Sequence, residues 1–522
     1  MRVQTRVLIV VLLVLALTGA SALSAQSSGA LTIGLATEPV SLDPAKGLFI
    51  AEQWVLMNIY DTLTRVDQAG ELHPGLATGW EVNDDATEFT FTLRSDVTFH
   101  DGTPFNAQAV KAYFDRIAEA GDPVAIATSV LSGYVEAEAV DDTTLVVRFA
   151  DPKPIFLNDL SRPWMGIPSP AASGELDTNP VGSGPFVFEE WTPQDHITLT
   201  RNEAYAWGPE FAATSGAPLV ETVTFRFLPE GATRLTALQS GEIDIAEEPP
   251  AFGVQSLLDT GMYKLETFPA PGMPSHMMIN TEHSPTDDIR VRQAMIHAVD
   301  QEQLVQTAFA GLQSPAFNVL SPTTFGYSEE AANLYRYDPE RAAALLDEAG
   351  WVDSDGDGIR DKDGQPLTIV YPALPAYEEA YMELLAAYLN QAGIAVDIQT
   401  MDDAGIFEFA AAGNHHIVNM GWTSSDPGVL SFVYHSSNIE GGSAFTRFVD
   451  PELDAALENA ATELDEEARA ALYEQAQMII MENALAIPLY NYDRVMVMDA
   501  RVEGWVFDPE GYPLLSQISL AE

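Results

Sequence analysis

A short acidic run has the most recognisable metal-ligand spacing in the sequence. Asp353, Asp355 and Asp357 alternate with other residues, Gly356 follows directly after Asp355, and Asp361 closes the run. Hard oxygen ligands at alternate positions of a tight turn are typical of the first part of a calcium loop. The spacing therefore makes these four aspartates candidate calcium ligands.

The end of this run departs from a complete calcium loop. Gly364 stands where a bidentate glutamate would complete the ligand set, and the following residues predict a strand rather than a helix. We expect either a structural calcium ion here or a solvated acidic turn without an ion. No cofactor is required by any other pattern in the chain.

Other residues capable of chemistry have simpler structural interpretations. His100-Asp101 precedes a glycine and a predicted helix, so a turn explains it better than acid–base catalysis. Gly182 and Gly184 are not followed by the lysine of a phosphate-binding loop, which favours a hinge or tight turn. The chain has no cysteine and no Gly-x-Ser-x-Gly or His-Glu-x-x-His motif, and His415-His416 has no acidic partner at metal-site spacing. The sequence predicts a protein that is not an enzyme, with a secreted hydrolase as a remote alternative.

The N-terminus has the order of a secretory signal peptide. Two arginines precede an apolar run over residues 7–17, and Ala20-Ser21-Ala22 provides small residues for cleavage. The run is shorter than the roughly 20 residues of a membrane-spanning helix. We expect residues 1–22 to be removed on export. Without a cysteine there is no lipid anchor, so a periplasmic or other extracytoplasmic location is predicted.

The charge balance restricts the partners. The chain has 77 acidic against 24 basic residues, giving a formal net charge of -53. Such a protein repels a polyanion, which excludes nucleic acid as a partner. Dissolved ions screen the repulsion between surface carboxylates, so we also expect the fold to be stabilised by salt.

Strand and helix patterns are mixed along the whole chain, which predicts α/β domains. Alternating apolar residues predict strands at residues 88–94, 144–149 and 223–227. Beyond about residue 275 the periodicity becomes more helical, with short strands in between. The predicted helices are 288–299, 301–309, 338–349, 377–392 and 451–483.

Several stretches in fixed order resemble the extracytoplasmic solute-binding proteins of family 5, which serve peptide and nickel uptake. The most diagnostic is residues 72–116, which contain Pro-Gly-Leu-Ala-Thr-Gly-Trp-Glu-Val and Phe-His-Asp-Gly-Thr-Pro-Phe. Further matches are residues 180–188, 238–244, 288–294, 337–351 and 448–454. The resemblance extends over essentially the whole mature chain.

This resemblance implies a two-lobed periplasmic-binding-protein (Venus-flytrap) α/β fold with an extra subdomain on the first lobe. The expected boundaries place lobe I at 28–70, 180–275 and 485–522, its extra subdomain at 71–179, and lobe II at 276–484. The implied function is that of the substrate-binding subunit of an ABC importer. Such a subunit captures a solute between the lobes and delivers it to permease and ATPase subunits, touching the membrane only through that complex. We expect a monomer.

The resemblance also points to candidate solute contacts in the second lobe. Relatives that bind peptides place an aspartate against the free amino group, three residues after a tryptophan. Here that position, counted from Trp422, is Ser425, and the carboxylate follows at Asp426. Trp422, Ser424, Ser425 and Asp426 are therefore candidate ligand-binding residues, with Tyr327 as a further one. Asp426 capping a turn before Pro427 is the alternative.

The first-lobe candidates are aromatic. Phe49 and Trp54 occupy positions where family members line the cleft, and aromatic side chains supply apolar contact area to a ligand. Burial in the core is the alternative for both. A short peptide is the expected solute, while a sugar, a metal chelate or another small organic molecule remains open.

Overall fold

The computed structural model describes residues 29–47, 50–67, 70–122, 125–172, 174–212, 214–374 and 381–521. The predicted signal peptide lies outside the described residues. Within them, two lobes and a subdomain each have a separate apolar core.

The first lobe is built on a mixed sheet. Ala30–Leu35 pairs in parallel with Thr222–Phe227 on one side and with Ile245–Glu247 on the other. Val223, Phe225 and Phe227 alternate toward the core, as the sequence pattern predicted. In spatial order the strands are Tyr263–Pro269, Asp493–Asp499, Ile245–Glu247, Ala30–Leu35, Thr222–Phe227, His196–Arg201 and Phe186–Thr192. The helices of this lobe are Ile50–Ile59, Gly231–Ser240 and Ala251–Leu258.

The subdomain packs a helix against an antiparallel sheet. The helix Ala107–Ala120 begins at Asn106, whose side chain accepts the backbone N–H of Ala109 at 3.0 Å, and it ends at Gly121. Phe156 lies at the centre of an aromatic core, with ring centroids 4.7 Å from Phe149. The sheet strands, in spatial order, are Ala77–Val82, Glu88–Leu93, Thr144–Phe149 and Tyr134–Ala139. The shorter helices are Ile126–Val130 and Phe156–Asp159, and a small hairpin pairs Thr64–Val66 with Leu72–Pro74.

The second lobe surrounds the strand Gly272–Ile279, which is buried throughout. It pairs with Ile417–Thr423 on one edge and with Ala486–Tyr490 on the other. Thr368–Ala373 and Ala395–Thr400 form a parallel pair beside it. The helices are Ile289–Ala298, Gln301–Phe309, Glu329–Ala332, Pro339–Glu348, Met382–Gln391, Asp403–Ala411, Val429–Tyr434, Pro451–Thr462 and Glu466–Glu482.

The chain crosses between the lobes in two adjacent segments. Tyr263–Pro269 pairs with Asp493–Asp499 in the first lobe, whereas Gly272–Ile279 pairs with Ala486–Tyr490 in the second. Between these pairs, the backbone N–H of Ala270 donates to the carbonyl of Tyr492 at 3.0 Å. The predicted crossings near 275 and 485 thus need correction to about 270 and 491.

Candidate functional site: a cavity between the lobes

A cavity of about 1310 Å³ lies between the two lobes. First-lobe and subdomain residues, including Arg65, Asp159, Arg162, Phe507 and Glu510, line one wall. The facing wall comes from the second lobe and includes Phe325, Ser425, Asp426, Glu466 and Arg469. Polar and aromatic groups from both lobes therefore line one shared cavity, which is the arrangement expected of a ligand site.

Arg162 connects the two walls. It follows the helix Phe156–Asp159, and its side chain is only 13% exposed. Its Nη2 donates to the hydroxyl of Ser425 across the cleft. Its Nη1 lies 3.2 Å from Oε1 of Glu510, and its Nε lies 3.5 Å from Oδ1 of Asp159. One guanidinium thus joins carboxylates of the first-lobe wall to a hydroxyl of the second.

Asp426 lines the cavity but is held from the second lobe. Arg469, on the helix Glu466–Glu482, donates from Nη2 to Oδ2 of Asp426 at 2.5 Å. The other oxygen of Asp426 accepts the backbone N–H of Gly428 at 2.6 Å. Asp426 therefore both caps the turn before Gly428 and lines the cavity. The guanidinium of Arg469 lies 5.3 Å from the ring of Phe325, which fixes the arginine in place.

Burial alters the acidity of the first-lobe wall. Burial raises the pKa of Asp159 to about 6, although the neighbouring Arg162 lowers it. Burial, followed by the charge of Glu510, raises the pKa of Asp508 to about 7. Perturbed pKa values in a cleft are typical of functional sites. Here the largest cause is burial, and neighbouring carboxylates add to it.

Only part of the predicted solute-contact set lies at this cavity. Ser425 and Asp426 line it, and Phe49 is outside the described residues. Trp54 is fully buried in the first-lobe core, where its Nε1 donates to Glu247 at 3.1 Å. The core alternative, and not the cleft-lining one, therefore holds for Trp54.

Three second-lobe candidates lie beside the described cavity lining. Tyr327 packs against the second-lobe core, and Phe325, two residues earlier, contributes to the lining instead. Trp422 is 48% exposed and meets the ring of Phe432 edge-on. The hydroxyl of Ser424 is bonded to the backbone of Asp426. None of these three residues is among those that line the cavity.

No motif in the sequence predicted the charged residues that line much of the site. Asp159 and Arg162 are three residues apart, but Glu510 and Arg469 come from distant segments of the chain, and no spacing rule connects them to this pair. One signal was available for the arginines. Basic residues are so sparse in this chain that an arginine beside Pro163 and Trp164 predicts burial against a specific carboxylate.

The acidic run forms a loop on the surface of the second lobe. Carboxylate oxygens of Asp353, Asp355 and Asp357 lie within 4.8 Å of one another. Asp361 instead accepts hydrogen bonds from the backbone N–H and the hydroxyl of Ser354, at 2.9 and 2.6 Å. Three of the four predicted ligands thus converge, and calcium at this loop stays a prediction.

The glycines near the subdomain boundary serve close packing. A Cβ on Gly182 would lie 2.0 Å from the carbonyl oxygen of Ile59, and one on Gly184 would lie 2.6 Å from its carbonyl carbon. The imidazole of His100 contacts the carbonyl of Gly184 at 3.0 Å. These residues hold the subdomain against the helix Ile50–Ile59.

Two lobes that the chain joins by two crossings, around a polar cavity, define a periplasmic-binding-protein fold. The family model for bacterial extracellular solute-binding proteins, family 5, matches residues 71–443, so the chain belongs to this family. Members are substrate-binding proteins of ABC importers: they bind small solutes outside the cytoplasm and work with permease and ATPase subunits. The chain therefore has this role, and the predicted fold class is confirmed.

Individual relatives differ in what they bind. The chain is 30% identical to the probable di/tripeptide-binding protein 5 of Pseudomonas aeruginosa, over 95% of this chain and 97% of that protein. It is 27% identical to the dipeptide-binding protein of Escherichia coli, over 86% of each. NikA from Brucella suis, solved with Fe(III)-EDTA, superposes with a TM-score of 0.83 at 26% identity, covering 94% of this chain and 99% of that one. These relatives are binding proteins rather than enzymes.

None of the helices in the described part of the chain has both the length and the apolar character needed to cross a membrane.

Proposed function

We propose that this protein captures a short peptide in the cavity between its lobes and delivers it to an ABC permease and its ATPase. In this proposal the chain is a monomer, is exported by the signal peptide at residues 1–22 without a lipid anchor, and carries out no catalysis. The observation that carries the proposal is the cavity itself, which is lined from both lobes and bridged by Arg162 and Ser425.

A solute in this cavity contacts both lobes at once. Only a ligand that interacts more strongly with the closed state than with the open state shifts the equilibrium toward closure. The contact between Arg162 and Ser425 forms only when the lobes are close, so it belongs to the closed state. The importer then has a conformational signal to recognise.

The size of the cavity and the names of the relatives support a peptide. Small-molecule sites are commonly about 300–1,000 Å³, and the volume here, about 1310 Å³, accommodates a short peptide with ordered water. Relatives named for dipeptides, tripeptides and glutathione match 86–95% of the chain.

Thermal unfolding of the mature protein with a panel of short peptides, sugars and metal chelates tests the proposal. A ligand at about 100 times its Kd stabilises the folded state by about 2.7 kcal/mol, so we expect short peptides to raise the Tm measurably. Ser425→Ala, which removes the hydroxyl facing Arg162, should reduce the rise. The exposed Ser132→Ala is the matched control. A rise with a sugar or chelate, and with no peptide, would retain the import role and refute the peptide.

A further inference from the structure

Three metal-ligating side chains converge on the small hairpin formed by Thr64–Val66 and Leu72–Pro74. Asp67, Glu71 and His73 each present one ligand atom, and these three atoms lie within 4.8 Å of one another. Asp67 and Glu71 also line the cavity between the lobes. The group therefore combines two carboxylates and an imidazole at the cavity wall.

The backbone of the hairpin orients these ligands. The N–H of Asp67 donates to the carbonyl of Glu71 at 3.1 Å, and Oδ1 of Asp67 accepts the N–H of Glu71 at 3.0 Å. The other oxygen, Oδ2, faces Nε2 of His73 at 2.8 Å. Two ligands of a tetrahedral zinc ion, with bonds of about 2.0–2.2 Å, lie roughly 3.3 Å apart. The pair of Asp67 and His73 thus needs to open only slightly to admit an ion.

The imidazole is held in place and is still accessible to an ion. The ring of Phe211 packs against His73, with centroids 5.0 Å apart. The side chains of His73 and Asp67 are 27% and 20% exposed, and Glu71 is exposed. An ion can therefore reach all three ligands without a rearrangement of the hairpin.

Arg65 is the cation that the hairpin places opposite His73, on the neighbouring strand. Its guanidinium donates to the buried carboxylate of Asp61, which compensates its charge. Repulsion from Arg65 is therefore reduced, and the two carboxylates of the group remain to attract a metal ion.

Two other histidines meet a pair of carboxylates without forming such a group. His196 contacts Asp195 through Nδ1 at 3.0 Å and Glu190 through Nε2 at 3.2 Å. Because the two nitrogens lie on different sides of the ring, these carboxylates cannot bind one ion together with the imidazole. His435 is divided between two carboxylates in the same way. Convergence of all three ligand atoms distinguishes the group at His73 from these surface ion pairs.

We propose that Asp67, Glu71 and His73 bind a divalent first-row metal ion at the cavity wall. An imidazole combined with carboxylates suits a borderline ion such as Zn²⁺, whereas sites made only of oxygen suit Ca²⁺ or Mg²⁺. Three protein ligands leave one position of a tetrahedral ion to water or to a solute. The ion belongs to the protein and is not the imported solute, so the proposal goes beyond the peptide function and does not depend on it.

Calorimetric titration of ZnCl₂ into the mature protein tests the site. Molar NaCl screens the nonspecific attraction of any cation to a chain with a net charge of -53. The wild type should bind Zn²⁺ at least about tenfold more tightly than Mg²⁺, because imidazole is a poor ligand for Mg²⁺. Failure to bind Zn²⁺, or equal affinity for the two ions, would overturn the proposal.

Variants locate the ion. Glu71→Gln changes an exposed side chain and keeps the backbone hydrogen bonds between Glu71 and Asp67, so the hairpin should still form. Glu71→Gln and His73→Gln should each weaken Zn²⁺ binding at least about tenfold, since losing even a group that only orients a metal ligand costs about 10–100-fold. His196→Gln, and Asp355→Asn in the acidic surface loop, should keep the wild-type affinity. Unchanged binding in Glu71→Gln and His73→Gln, or an equal loss in either control, would refute the assignment.

The metal site and the peptide function fail separately. Zn²⁺ binding that depends on Glu71, in a protein that binds none of the short peptides, would keep the metal site and refute the peptide function. Peptide binding in a protein that does not bind Zn²⁺ would refute the metal site alone.

Discussion

Replacing Arg162 by methionine should destabilise the protein in a pH-dependent way. The substitution keeps an aliphatic side chain but removes the charge that faces Asp159, Glu510 and Ser425. Removing one partner of a buried ion pair typically costs about 3–5 kcal/mol. We expect a loss of stability in this range at pH 8, where Asp159 is charged.

The pH dependence follows from Asp159. Its folded-state pKa, about 6, lies above its ordinary value of 3.8. At 1.36 kcal/mol per pKa unit, this difference corresponds to about 3 kcal/mol. That stabilising contribution is fully present below about pH 3.8 and is lost as the pH rises through about 6. Without Arg162 the folded-state pKa rises further, so the deficit of the variant grows between pH 5 and pH 8.

Urea unfolding at pH 5 and pH 8 measures this deficit. Arg341→Met is the matched control, since Arg341 pairs with Glu348 on the surface, where both side chains are about half exposed. Exposed pairs contribute about 0–1 kcal/mol. A deficit for Arg162→Met that is no larger than the control, or that is the same at both pH values, would refute the reasoning.

Three further predictions concern the fold. His276 is fully buried, shares a hydrogen bond of 2.9 Å with the hydroxyl of Tyr434, and has its pKa lowered by burial to about 4. The stability that neutral His276 contributes, about 3 kcal/mol, should be present above pH 6.5 and lost as the pH falls toward 4. The free energy of unfolding of His276→Gln, measured at pH 4 and above pH 6.5, should therefore change less with pH than that of the wild type, and an equal change would count against the assignment. Gly272→Ala should lower the Tm by several degrees, because the φ of Gly272 is 110° and a Cβ there would lie 2.2 Å from the carbonyl oxygen of Trp422. The control Gly261→Ala has open space around the added Cβ and should lower the free energy of unfolding by only about 1 kcal/mol. Equal losses of stability in the two variants would contradict the close approach at Gly272. Molar salt should raise the Tm of the wild type because it screens a net charge of -53, and no rise would contradict the electrostatic argument.

Local sequence signals predicted many of the elements. The helix expected at 301–309 is observed at Gln301–Phe309, where the Asp300 side chain caps the first turn. The long helical pattern at 451–483 divides into Pro451–Thr462 and Glu466–Glu482, because Asp465 caps a new helix start. Periodicity thus located the helical residues, but the single helix predicted at 451–483 was wrong because the cap at Asp465 was not recognised.

Properties that depend on distant packing could not be predicted in this way. The helix Ile50–Ile59 buries polar residues such as Glu52 and Asn58 as well as apolar ones, because the first-lobe core and the subdomain enclose it. Trp54 was a cleft candidate from the family resemblance, whereas its burial depends on how the first-lobe core packs around it. The site similarly depends on Arg162 and Glu510, which only the tertiary fold brings together.

Filling the cavity tests the central claim most directly. Ser425 lines the cavity beside Arg162, so the indole of Ser425→Trp should fill the solute position without disturbing an apolar core. The control Ser132→Trp places the same side chain on the exposed surface of the subdomain. Calorimetric titration of Ala-Lys-Ala should show binding to the wild type and to Ser132→Trp, and at least tenfold weaker binding to Ser425→Trp, roughly the loss of one buried charged contact. Equal affinity for Ser425→Trp and the wild type would contradict the assignment of this cavity as the solute site.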